Sequence, residues 1–129
     1  MKTILIDAVN TFVIKYHGIF KEMHDLLELY PNKKIIVTNA SDEQIKPLGL
    51  DKLPYEIFTL KHNPEKTNPE YFRTLLRKYK LDAKDVIYFE HNKQAVSSAQ
   101  HIGIKTFYYD RYRKNLTSLK EFLDGNLKQ

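Results

Sequence analysis

"ILIDAVNTFV", residues 4–13, is the stretch whose reading decides the fold. Its apolar part belongs to "KTILID" (2–7), a short and almost unbroken apolar run. Such a run is the signature of a strand covered on both faces. It carries a carboxylate, Asp7, to its carboxyl end. Two positions on stands Val9, an apolar side chain where a second acid would make a catalytic pair.

The rest of the chain alternates in period. "HGIFKEMHDLLELY" (17–30) spaces Ile19, Phe20, Met23, Leu26, Leu27 and Tyr30 as a helix does, and Pro31 stops it. "KKIIVTNAS" (33–41) reads as a second buried strand with a polar tip. Residues 42–54 carry the breakers Pro47, Gly49 and Pro54 around a short helix or turns, and "YEIFTL" (55–60) reads as a short strand. "TNPEYFRTLLRKYKL" (67–81) predicts a helix that Asn68 caps and Pro69 opens. A strand "DVIYFE" (85–90), a helix (93–103) stopped by Gly103, a strand "IKTFYY" (104–109) and a last helix (116–125) ending at Gly125 complete the pattern. Strands alternating with helices predict an α/β fold. The expectation is a Rossmann-like three-layer α/β/α domain around a mainly parallel five-stranded sheet, one domain over residues 1–129.

Composition narrows the function classes. With 129 residues and 42% apolar content, the chain has material for one core and too little for two. No apolar run nears the roughly 18 residues of a membrane helix, so no membrane partner is expected. Asp7 interrupts the N-terminal apolar run too early for a secretory signal, and a cytoplasmic protein is the expectation. The absence of Cys removes thiolate chemistry. A net charge of +5 suits anionic ligands, although a solvated basic face is the favoured account of most of it.

In an open parallel sheet, ligands sit beyond the carboxyl ends of the strands. Here those ends carry Asp7, then Thr38-Asn39, then Glu90-His91, with Lys66 in the loop before the helix at Pro69. A carboxylate can attack phosphorus to give an acyl phosphate; a hydroxyl and an ammonium can hold phosphoryl oxygens; a second acid can help hold Mg²⁺.

Four segments in order resemble the haloacid dehalogenase (HAD) superfamily: "ILIDAVNT", "IIVTN", "EKTNPEYF" and "VIYFEHNKQAVSSAQHIGIKT". The resemblance covers nearly the whole chain. It implies Asp7 as nucleophile, Thr38 as phosphoryl-binding residue with Asn39 supporting its loop, and Lys66 beside the nucleophile and the transferring charge. It implies a Mg²⁺ site formed by Asp7, the Val9 backbone carbonyl and an acid at Glu90 or His91. It also implies a domain without a cap, because about 25 residues separate the first two motifs, room for a short flap and one helix.

Two departures bear on activity. Val9 stands where family phosphatases carry the acid that protonates the leaving alkoxide, a contribution of about 10²- to 10⁴-fold. His91 and Ala95 stand where oxygen ligands are usual, which predicts weak Mg²⁺ binding, with Glu90 as the acid of longer reach. Two function classes follow. One is a weak or atypical Mg²⁺-dependent phosphohydrolase. The other is a catalytically inactive HAD-fold protein that binds a phosphate-bearing small molecule or macromolecule, a protein partner or a second copy of itself. His17, His24, His62 and His101 show no ligand spacing. "FYYDRYRKN" (107–115) interleaves tyrosines with cations, a pattern that suits single-stranded nucleic acid, although a strand end followed by a solvated basic loop is the favoured reading.

Overall fold

The computed structural model describes residues 1–127; the last two residues of the expected 1–129 domain lie outside them. Among these residues, the central sheet is formed by β1 (Thr3–Asp7), β4 (Lys34–Thr38), β5 (Glu56–Thr59), β6 (Val86–Glu90) and β7 (Lys105–Tyr108). All neighbours pair in parallel, in the order β5-β4-β1-β6-β7. The chain builds outward from β1 on one side, then crosses back to its other side. The topological switch therefore lies at β1, and its carboxyl end is Asp7.

The strand residues alternate between two cores. Ile4 and Ile6 of β1 face one layer with Met23 and Leu27 of α1 (Lys21–Leu27) and Leu119 and Leu123 of α5 (Leu116–Leu127). Leu5 faces the other, with Tyr71, Phe72 and Leu75 of α3 (Pro69–Tyr79) and Ala99 of α4 (Lys93–His101). Every residue of β1 and β6 is buried, as the unbroken apolar runs require. Burying a Leu or Ile side chain contributes about 1.5–3 kcal/mol, so the sheet centre is the stablest part of the molecule.

Helix signals act locally as read. The Asn68 side chain accepts from the Glu70 N–H, and Pro69 opens α3. Asn92 accepts from the Gln94 and Ala95 N–H groups at the start of α4, and Gly103 takes a left-handed φ of +91° just beyond its end. A short helix α2 (Asp42–Ile45) and a single 3-10 turn (Leu50–Lys52) occupy the segment of breakers.

Two expectations are corrected. The helix expected over 17–30 begins only at Lys21. Before it stands a small antiparallel hairpin, β2 (Val13–Ile14) with β3 (Gly18–Ile19). Tyr16 and Gly18 sit at positive φ in its turn, which no helix accommodates. Ile19 and Phe20 pack inward from the hairpin and the chain leading into α1, so their apolar spacing imitated a longer helix. The last helix does not stop at Gly125 but runs to Leu127. No atom beyond that glycine's own surroundings crowds the position, and the Asn126 side chain bonds the Phe122 carbonyl one turn back. No helix among the described residues is long and apolar enough to cross a membrane.

Candidate active site

The carboxyl ends of β1, β4 and β6 open on one crevice of about 220 Å³. Asp7, Val9, Asn10, Thr38, Asn39, Lys66, Glu90 and His91 line it, so every residue expected at the site is there.

Asp7 is 2% exposed, and its two oxygens are divided among three side chains. Oδ1 accepts from Lys66 Nζ at 2.7 Å. Oδ2 accepts from the Thr11 hydroxyl at 2.6 Å and from the His91 ring at Nδ1. The tight turn after β1 makes the Thr11 contact. Asn10 takes φ +69°, a conformation Asn tolerates, and the chain doubles back so that Thr11 N–H reaches the Ala8 carbonyl.

Lys66 is buried as well, at 7% exposed. Its ammonium also bonds Glu90 Oε1 at 2.8 Å, bridging the ends of β1 and β6. Asn39 fixes the loop that delivers it, its side-chain oxygen accepting from the Lys66 backbone N–H at 2.7 Å. Thr38 is set by a buried tyrosine: its N–H donates to the Tyr71 hydroxyl oxygen, and its own hydroxyl accepts from the Ala40 N–H. Glu90, 0% exposed, accepts from the Tyr88 hydroxyl on the oxygen that Lys66 holds. Its other oxygen accepts from the Asn92 N–H at 3.0 Å and lies 3.3 Å from His91 Nδ1.

The electrostatics follow from these neighbours. Burial alone would raise the Asp7 carboxyl, but the Lys66 ammonium and His91 outweigh it and hold it well below the usual carboxylate range. Burial would lower Lys66, and the two carboxylates more than reverse this. For Glu90, burial and the Asp7 charge act together and push it up to about 7 despite Lys66. His91 loses some proton affinity to burial and gains more from Asp7 and Glu90, so it is raised. The cluster thus sets Lys66 and His91 against two acids, Asp7 and Glu90.

Five contributors escaped sequence reading. Thr11 was visible only as the residue after Asn10. Tyr88 and Tyr71 left a fainter signal: a hydroxyl in a segment otherwise filled by apolar side chains needs a polar partner. Gln44 and His62, bonded to each other, stand on the crevice rim, and nothing in their spacing announced it. The basic–aromatic segment after β7 contributes no side chain to this crevice. Tyr109 is buried, Tyr112 is exposed under Arg111, and a second cavity between this loop and the hairpin shares Asn10 with the first.

No protein-family model matches the chain, and no curated protein matches it. Solved structures do. A HAD-family enzyme from Bacteroides thetaiotaomicron, an Asp-to-Ala variant in complex with magnesium and inorganic phosphate, superposes with a TM-score of 0.69 at 13% identity, covering 84% of this chain and 93% of that one. The chain has the HAD fold. The core domain of a proposed phosphoglycolate phosphatase from Streptococcus pneumoniae shares that HAD fold with a TM-score of 0.63 at 19% identity, over 95% of each chain. A conserved haloacid dehalogenase-like protein of unknown function from Agrobacterium tumefaciens gives 0.65 at 14%, over 85% of this chain and 62% of that one.

The magnesium in the first of these neighbours invites a test of the donor set here. Asp7, Glu90 and His91 bring three ligand atoms within 4.8 Å of one another. Mg²⁺ takes oxygen ligands at about 2.0–2.1 Å in near-octahedral array. Each carboxylate oxygen of Asp7 and Glu90 already accepts from a protein donor. As arranged, the residues do not fit the ion.

Proposed function

We propose that the crevice binds the phosphoryl group of a phosphate-bearing ligand, and that the protein is a HAD-type phosphohydrolase of low rate with Asp7 as nucleophile. The observation that carries this reading is the placement of Asp7 among Lys66, Thr38 and His91: a carboxylate with cations and donors around the position a phosphoryl group would take. Lys66 would hold a phosphoryl oxygen and screen the charge that repels an anionic ligand from Asp7. The Thr38 loop would supply further donors. Asp7 attack on phosphorus forms the acyl phosphate and breaks the bond to the leaving oxygen. Water then attacks the acyl phosphate, releasing inorganic phosphate and restoring the carboxylate.

Two features make the rate low. Val9 lines the crevice and packs on the core, and it has no proton to give to the leaving oxygen. Asp7 is stabilised as an anion by three side chains, which weakens it as a nucleophile. The same bonding favours a second reading, a HAD-fold protein that binds phosphate without turnover.

A turnover panel separates them. Acetyl phosphate and an aryl phosphate, whose leaving groups need little protonation, are expected to be hydrolysed slowly, with alkyl phosphates far behind. Asp7→Asn is expected to abolish that hydrolysis. Activity retained in Asp7→Asn, or rapid alkyl phosphate turnover, overturns the proposal. A complete lack of turnover with phosphate still bound gives the second reading its place.

A further inference from the structure

We infer that this crevice takes its phosphoryl group without a divalent metal, the His91 side chain standing in the position the ion would need. The inference rests on the phosphoryl-binding reading for its ligand and on side-chain geometry for its substance.

A divalent ion in this cluster would have to lie between the acids that end β1 and β6. That gap is filled. His91 Nδ1 meets Asp7 Oδ2 and lies 3.3 Å from Glu90 Oε2, so one ring nitrogen faces both carboxylates. A nitrogen whose proton is donated to Asp7 offers no lone pair to a metal. Moving the ring away would clear that gap but leave both acids tied to other donors. Glu90 would remain bonded to Lys66, Tyr88 and the Asn92 N–H, and Asp7 to Lys66 and Thr11.

The charges agree. Two carboxylates already face one ammonium and one imidazole, and adding a divalent ion would leave the cluster strongly positive. Lys66 bonds both acids from the crevice wall with 9% of its side chain accessible, while His91 is more open, with 21% of its side chain accessible. His91 is therefore placed to meet a phosphoryl oxygen, a task an ion would otherwise perform. The ligand class that follows is a free phosphate ester or anhydride rather than its magnesium complex.

The test uses the whole chain and two probes, Mg²⁺ and inorganic phosphate, each followed by calorimetry and by amide shifts. The parent is expected to show no Mg²⁺ binding at millimolar concentration, and the same phosphate affinity with Mg²⁺ as with EDTA. His91→Asp, which removes the ring and adds an oxygen ligand, is expected to bind Mg²⁺ at least about tenfold more tightly than the parent. Should that variant fail to fold, His91→Asn carries the same expectation in direction. Stoichiometric Mg²⁺ binding by the parent, phosphate binding lost in EDTA, or a folded variant with no gain overturns the inference. If phosphate binds under neither condition, the phosphoryl reading falls, and the Mg²⁺ titrations alone still decide whether His91 excludes the ion.

Discussion

Val9 and Lys66 show how much single side chains decide here. Val9→Asp supplies the missing acid at a half-buried position on the crevice wall, where substitution costs less than opening a core cavity, about 2–5 kcal/mol for large aliphatics cut to Ala. Paired with His91→Asp, it is expected to raise aryl phosphate hydrolysis in the presence of Mg²⁺ at least tenfold over the parent. Each single variant gains less, and alkyl phosphates gain more than aryl ones because their leaving group depends on the proton. A folded double variant with no gain on either substrate would show that the crevice is not a dormant phosphatase site. Lys66 is a stability residue as well. Without it, two buried carboxylates would lose the ammonium they share and keep only Thr11, His91, Tyr88 and the Asn92 N–H as partners, so Lys66→Met is expected to lose about 3–5 kcal/mol in urea unfolding. A loss under 1 kcal/mol would mean that the acids find water or protonate at little cost.

At the scale of elements, the sheet and its long helices were legible because their signals are local: unbroken apolar runs for buried strands, Asn68-Pro69 for the start of α3, Gly103 for the stop after α4. The hairpin was not, because two-residue strands have no periodicity to read, and Ile19 and Phe20 fit the next helix equally well. The site was legible as a set of strand ends. Its wiring was not, because the side chains that meet come from positions as far apart as Asp7 and His91. Asp7 was legible as the tip of a strand but not as a buried member of a four-group cluster. Asn92 joins the two scales. Its side chain caps α4 while its N–H holds Glu90. Asn92→Ala is expected to cost about 1 kcal/mol from the lost cap, with the backbone bond to Glu90 kept. Chemical denaturation measures the first, and an unmoved backbone amide signal at position 92 checks the second.

The whole molecule reports the cluster through its pH dependence. Asp7, depressed on folding, stabilises the fold above the ordinary carboxylate range, and that contribution is lost as pH falls toward its lowered value. Glu90 acts in the opposite direction. Its value rises from 4.5 to about 7 on folding, so the folded state holds the extra proton in that window, and stability falls as pH climbs through it. His91, also raised, adds a loss as pH rises through its folded value. Urea unfolding at pH 5 and pH 8 should therefore show a smaller decline in Glu90→Gln than in the parent, by roughly 2–3 kcal/mol. Equal declines would place the titration elsewhere. The central claim is that one phosphoryl group binds at the carboxyl ends of β1, β4 and β6, and amide shift mapping with inorganic phosphate tests it most directly. Shifts are expected at Asn10, at Thr38 to Ala40, and at Lys66, His91 and Asn92. Shifts confined to the basic loop at 107–115, or none at all, would contradict it.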